Sequence, residues 1–585
     1  MTGMFGKLLV VDLTESNITE QNIDDSVLKQ YLGGKGLGSH LLLKMLPPGI
    51  DPLSPQNKLI FTTGPATDTV LAPASRYGVF SKSPLTGAYA ESYSGGHVAP
   101  MMKRTGYDAI VITGKASKPC FIHIAPEGVN FYDASGIWGQ DCYQAEEAVL
   151  QAVGLKNAQA MVIGPAGERQ IAFACISNNR WRCAGRAGLG AVMGSKNLKG
   201  IVFSGSKRAP VADEAGLAAW SRAFANENKD SPGAVSYRTR GTPAVVTATN
   251  KANCFPTRYW SQGTLEGWEK ISADYMLENM EVKSRACYRC FFACGKQVKV
   301  LKGRHQGLVI EGPEYETIYS FGGLCCITEM EEIVYLNDLC DRWGIDTITA
   351  GNLAAFAIEA GLRGRLKEAP RYGDAESVAV FLQSVVEEKG EGALFSKGIR
   401  EAAKALELED LAIHVKGMEP AGYDPRVLKG MGLAYATSDR GACHLRTTFY
   451  KPEMSGAIDP AQIARKASLF IDYEDRLNIY DCLIFCRFYR DLIFWEELVT
   501  VLHLLTGERY SAADLHQMAG RIQTLTRLFN LREGFTRADD TLPPRMLTEP
   551  INDGKNLIRP EELEQLLSEY YLLRGWDQEG VPPNS

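Results

Sequence analysis

The chain has 585 residues, 45% of them hydrophobic and 23% charged, with a formal net charge of -6. That length exceeds what one core fills, so two or three domains of ordinary globular composition are expected. The acidic balance, without a basic run carrying interleaved aromatics, argues against nucleic acid as the main partner, and apolar stretches broken every few residues argue against a membrane span.

The opening MTGMFGKLLVVDL has one Lys and an acidic residue directly after its short apolar run, which reads as a strand and not as a signal peptide. Fourteen cysteines without such a signal point to a reducing, cytoplasmic setting and to metal in preference to disulfides. Up to about Lys207, β-rich runs alternate with Gly and Pro punctuation at 7–13, 58–64, 108–114, 120–126, 160–167, 171–177 and 200–206. They predict a β-rich domain over residues 1–208. Within it, SRYGVFSKSPLTGAYAESYSGG (75–96) and NRWRCAGRAGLGAVMGSKNLKGIV (179–202) stand out. The second sets Gly185, Gly188, Gly190 and Gly194 beside Arg182, Arg186, Lys196 and Lys199. Glycines let backbone N–H groups approach a phosphate and the cations neutralise it; tight turns between strands are the plainer alternative. GGKGLGSH (33–40) lacks P-loop spacing and follows no clear strand, so neither that loop nor a Rossmann turn is assigned.

From about Ala209 the pattern turns helical, as in DEAGLAAWSRAFANENK (213–229). Arg285 to Gly295 reads RACYRCFFACG and sets Cys287, Cys290 and Cys294 at i, i+3 and i+7. On a helix those offsets share one face, so three sulfurs can converge, and Cys486 in DCLIFCRF is the candidate fourth ligand. One knuckle plus one thiol favours an iron–sulfur cluster over structural zinc, which usually shows two paired knuckles. Thr328 and Glu331 predict a capping box for a helix running to about Trp343. Gly344 ends that helix and Asp346 starts the next, so Asp341 and Asp346 flank a junction. The last third, from about Met418, is the most helical: 511–534 aligns Leu515, Met518, Ile522, Leu525 and Phe529 behind a Ser511/Asp514 cap. DRWGIDT (341–347) and DCLIFCR (481–487) echo each other, each with an Asp followed five residues later by a ligand-capable side chain. The expected class is α+β: the β-rich base, then two mainly helical domains, 209–416 and 417–585, closing over a cofactor that lies on the base.

Taken together, YLGGKGLG, SRYGVFSKSPLTGA, AGRAGLGAVMGSKNLK, the C-x2-C-x3-C segment, GPEYET, DRWGIDT, RGACHLR, D-x4-C-R-F and REGFTRADD resemble, in this order and over almost the whole chain, the tungsten-containing aldehyde:ferredoxin oxidoreductase family. The resemblance implies a [4Fe-4S] cluster on Cys287, Cys290, Cys294 and Cys486, and tungsten held by two pterin dithiolenes with no protein side chain on the metal. Asp341 and Asp481 would sit against the two pterins, with Asp346 contributing, since a carboxylate accepts two parallel N–H bonds from a pterin edge. Arg76 would bridge cofactor and cluster. The glycine-rich segments, with Gly95, Arg182, Gly185 and Arg186, would face the pterin phosphates. Mg²⁺ would join those phosphates through backbone carbonyls near Tyr93 and Cys183; the family usually has Asn where Tyr93 stands.

For the chemistry, the family pattern points to Glu316 in GPEYET as base towards the attacking water and to His444 in RGACHLR as donor to an aldehyde carbonyl. The implied reaction is oxidation of an aldehyde to a carboxylic acid. Electrons would leave through the cluster to ferredoxin, or to ferredoxin-like and flavin-containing partner subunits, because the chain has no flavin or nicotinamide fingerprint. No E-x-x-H occurs anywhere, so a homodimer bridged by a metal on that motif is not expected, and oligomeric state stays open. Two alternatives stand beside this reading: the tungsten subunit of an aromatic-ring reductase acting on a coenzyme A thioester, and a non-catalytic cluster or zinc protein.

Overall fold

The computed structural model describes residues 1–583. Two six-stranded sheets form the N-terminal part. One runs, edge to edge, Asn17–Asn22, Lys7–Asp12, Ala109–Thr113, Leu59–Thr62, Tyr77–Lys82, Tyr89–Ser94; the other runs Gly128–Asp133, Cys120–Ala125, Leu198–Phe203, Gln159–Val162, Ile176–Asn178, Arg182–Ala184. Read this way, both share one plan: a hairpin, a parallel neighbour, then three antiparallel pairings. The base is an internal duplication. The sheets face one core, where Leu9, Phe61 and Val79 meet Ile122, Met161 and Ile201. Helices Gly34–Met45 and Cys142–Val153 each cover the outer face of one sheet.

Six of the seven β-rich runs contain a strand of three residues or more in place; in 171–177 only the last two residues enter one, Ile176–Asn178. The rest of 171–177 is buried loop with a single isolated bridge, Ala174 to Ile345, and is apolar because it is enclosed. Beyond Phe203 the chain is mainly helical and carries the largest core. Asp346 and Ser511 cap the helices Thr347–Leu362 and Ala512–Arg532, and Gly344 ends Met330–Trp343 in the left-handed region, where the sequence places them; Asp213, not singled out in the sequence, caps Glu214–Asn228. The Thr328/Glu331 box does not form: that helix starts after Glu329 without a side-chain cap. A three-stranded sheet, Met280–Arg285, Gly295–Val300 and Val309–Glu311, interrupts the helical part and was not legible as strand. Among the described residues no helix is long and apolar enough to cross a membrane.

Candidate active site and cofactor cradle

The cysteine segment is a loop, not a helix. It connects Met280–Arg285 to Gly295–Val300, and the pairing of Arg285 with Gly295 draws its ends together. Arg289 (φ 58°) and Ala293 (φ 46°) break any helical run. The three thiols are therefore gathered by a closed loop and not by one helical face. Cys486 comes to them from the far end of the chain, its amide donating to Pro73 O at 2.9 Å. Arg76 Nη2 donates to Cys486 Sγ at 3.5 Å, and Cys290 Sγ lies 3.2 Å from the Tyr489 hydroxyl. A Cβ on Gly95 would stand 2.9 Å from Cys287 Sγ, so this glycine makes room for a sulfur. Burial, then Cys486 and Cys287, push the Cys290 thiol up to about 11. Burial and Glu314 raise Cys294, against the pull of Arg182. Thiolates crowded this way without compensation are costly; a bound cation centre would remove the cost, and the donor set fits an iron–sulfur cluster. All fourteen cysteines are free, and among the described residues no three His, Cys, Asp or Glu side chains are drawn around a single-ion position.

The duplication governs the rest of the site. Tyr93 pairs with Gly78, which is followed across the sheet by Thr62; Cys183 pairs with Ser177, followed by Val162. Tyr93 and Cys183 thus hold the same register position in the two repeats. Gly64-Pro65-Ala66 and Gly164-Pro165-Ala166 follow the matching strands. A Cβ on Gly64 would meet Cys482 O at 2.7 Å, and one on Gly164 would meet Trp343 O at 2.5 Å. Each repeat therefore packs backbone to backbone against the end of one helix. Those ends match in turn. Met330–Trp343 and Lys466–Leu483 each carry an Asp two residues before the last, a left-handed cap (Gly344, Ile484), and a starting residue for the next helix (Asp346, Cys486). The echo seen in the sequence is thus a repeated local structure, and Asp341 and Asp481 are its equivalent acids.

Their surroundings differ. Asp481 is buried between Arg446 (Nη1 to Oδ2, 3.1 Å) and Arg487. Asp341 has no cation against it; it accepts from Asn337 Nδ2 at 2.8 Å, and burial, then Cys183, push its carboxyl well above the usual range. Asp346 is engaged within the protein, capping at Ile348 N and receiving Arg186 Nε and Thr349 Oγ1 at 3.0 Å each. Arg182 pairs with Glu311. Of the four cations in 179–202, Lys196 turns inward to backbone carbonyls of Asn57 and Gly114, and Lys199 to Glu168, so neither faces the cavity.

A cavity of about 480 Å³ collects the functional candidates Arg76, Tyr93, Cys183, Gly185, Arg186, Glu316 and His444. His444 Nε2 lies 3.4 Å from Glu316 Oε1, while Glu316 Oε2 accepts from Gly422 N at 3.0 Å. Burial pushes Glu316 up to about 8. Burial, then Arg186 and Arg440, hold His444 well below its usual range, so its imidazole is neutral. Arg440, Arg446, Glu91 and Lys35 complete a buried charge network that the sequence reading did not single out. Lys35 Nζ reaches Glu91 Oε1 (3.1 Å) and Asp439 Oδ2 (3.0 Å), and Tyr93 OH donates to Glu91 Oε2 (2.6 Å). Their signal lay in GGKGLG and RGACHLR. The glycines of GGKGLG serve close packing: a Cβ on Gly34 would collide with Asp481 O.

Several buried donors here have no protein partner: Arg440 Nε, Arg446 Nε and Nη2, and Arg487 Nη1, with Glu316 Oε1 and His444 Nδ1 beside them. Each such group costs about 1–3 kcal/mol if left unmade. Arg440 and Arg487 line the cavity, and unpaired guanidinium donors there suit a large, acceptor-rich, anionic ligand; two phosphate-bearing pterins are of that kind.

Residues 8–205 match the family model "Aldehyde ferredoxin oxidoreductase, N-terminal domain", and residues 219–585 match "Aldehyde ferredoxin oxidoreductase, domains 2 & 3". The chain is 35% identical to the tungsten-containing aldehyde ferredoxin oxidoreductase of Pyrococcus furiosus, covering 100% of this chain and 98% of the relative. It is 30% identical to the WOR-like subunit of an aliphatic sulfonate oxidoreductase of the same organism, over 99% and 95%. Among solved structures, the active-site complex BamBC of benzoyl coenzyme A reductase shares the fold, with TM-score 0.84, 23% identity and coverage of 99% and 96%. The chain belongs to the aldehyde ferredoxin oxidoreductase family, whose members are oxidoreductases.

Proposed function

We propose that this chain oxidises aldehydes to carboxylic acids with water as the oxygen source: RCHO + H2O gives RCOOH, two protons and two electrons. The observation that carries the reading is the His444–Glu316 pair at 3.4 Å in a cavity also lined by Arg76, Tyr93, Cys183, Gly185 and Arg186. Neutral His444 donates from Nε2 to the aldehyde oxygen and orients the carbonyl. Glu316, in its carboxylate form, takes a proton from water entering beside it; a pKa of about 8 makes that form accessible slightly above neutrality. Gly422 N–H fixes the other oxygen of Glu316 so that Oε1 faces the reacting space.

On this reading Asp341 and Asp481 would receive the two pterins, Arg186 and the backbone at Gly185 their phosphates, and backbone carbonyls near Tyr93 and Cys183 a Mg²⁺ ion. Arg76, whose Nη2 donates to Cys486 Sγ, would stand between them and a [4Fe-4S] cluster held by Cys287, Cys290, Cys294 and Cys486. A bound tungsten centre would supply the acceptor for the electron pair, and a cluster on these cysteines would supply the one-electron exit to a ferredoxin-type carrier or partner subunits. The test is holoenzyme prepared without oxygen, assayed with viologen dye against acetaldehyde, benzaldehyde and benzoyl coenzyme A. Reduction of dye by aldehydes supports the reading; turnover of the thioester alone would replace it with ring reduction.

A further inference from the structure

The wall beside His444 is aromatic. Tyr423 and Tyr450 stack with ring centroids 3.9 Å apart and 14° between planes, and they lie 5.7 and 6.2 Å from the His444 ring. Tyr237 stacks on Phe488 at 4.4 Å and 19°. All four line the cavity that holds Glu316 and His444, with Val245 and Ala248. Arg490, 1% exposed, stands 5.8 Å from the Tyr450 ring and backs the wall. Two charged groups of the lining are engaged elsewhere: Lys451 lies 3.8 Å from Asp491, and Glu314 takes the Thr242 hydroxyl. Flat aromatic faces reward a flat ring by offset or edge contact, about 0.5–1.5 kcal/mol beyond area burial, and reward an alkyl chain by burial alone.

We propose that this wall is an aryl-binding slot which makes aromatic and arylalkyl aldehydes the preferred substrates, with Tyr423, Tyr450, Tyr237 and Phe488 as the specificity-determining residues. The inference rests on the aldehyde-oxidation reading above and adds no new chemical step: the two electrons leave by the route given there, reducing two equivalents of a one-electron dye. Charge plays no part in the discrimination; shape and ring contact do.

The experiment compares kcat/KM of the holoenzyme for benzaldehyde and acetaldehyde with viologen dye, in the native chain and in Phe488→Leu and Ala248→Phe. The native enzyme should favour benzaldehyde by at least about tenfold, from two or more ring contacts. Phe488→Leu should reduce that ratio about fivefold, and Ala248→Phe, which fills the slot, should reduce it further. Unaltered tungsten and iron content would show that both variants fold. A native preference for acetaldehyde, or an unchanged ratio in both variants, overturns the proposal. Equilibrium binding of benzamide against acetamide separates the two levels of inference. If no aldehyde is oxidised, the activity reading fails, while benzamide bound more tightly than acetamide and weakened by Phe488→Leu upholds the slot. Equal binding of the two amides overturns it.

Discussion

His444 Nε2 and Glu316 Oε1 face each other at 3.4 Å although 128 residues separate them in the chain. One follows the helix Lys429–Thr437 and the other sits on the short helix Tyr315–Thr317. The pair is the reason for assigning chemistry to this cavity, and replacing one partner tests it. Glu316→Gln keeps shape and the Gly422 hydrogen bond but cannot take a proton. Turnover should fall on the order of a hundredfold, with tungsten and iron retained. An unchanged rate would remove Glu316 from the mechanism.

The pH dependence follows from the same carboxyl. Burial raises its pKa from 4.5 to about 8, so the acid form dominates at neutrality and the base form grows as pH rises. The rate constant kcat/KM should climb about tenfold per unit up to pH near 8 and then level off. His444, held well below its usual range, stays neutral throughout and adds no second limb. A profile flat from pH 6 to 9, measured with the dye assay, would contradict this.

Cys290→Ser removes one thiol from the loop while leaving the cavity lining untouched, since Cys290 is not part of it. Reduction of dye should be lost, whereas tungsten, measured by elemental analysis, should remain in part. Full turnover in this variant would contradict electron exit through the cluster.

The two equivalent acids should differ on substitution. Asp481→Asn leaves the buried Arg487 without its counter-charge, while Arg446 keeps Glu91, and should destabilise the chain by about 3 kcal/mol. Asp341 faces no cation and its carboxyl is held in the neutral form by burial. Asp341→Asn should therefore change stability by less than about 1 kcal/mol, because Asn keeps the acceptor for Asn337. Denaturant unfolding of the cofactor-free chain measures both, and equal losses would show that the Arg446 and Arg487 contacts do not set the difference.

Much of this was legible in the residues. Strand runs such as 7–13 and 108–114 and the caps at Asp346 and Ser511 are local signals, and local signals survive into the fold. The Asp341/Asp481 echo was visible as spacing, but its meaning was not. It depends on Gly64 and Gly164 packing against helix ends more than 170 residues away, which no window of sequence displays. The duplication of the base was hidden for the same reason: Tyr93 and Cys183 share a register position but no chemistry. The loop form of 285–295 was misread because i, i+3, i+7 spacing fits a helix equally well, and only the flanking strand pairing decides. Arg440, Arg446 and Lys35 escaped notice because a buried cation without its partner in view reads as a surface residue.

The most direct test of the whole account is elemental analysis of the chain purified without oxygen from a host that supplies tungsten and pterin, coupled to dye reduction by aldehydes. One tungsten to about four iron per chain, with aldehyde-dependent dye reduction, is the expected result. Colourless protein holding zinc without iron, or holding neither iron nor tungsten, would contradict it.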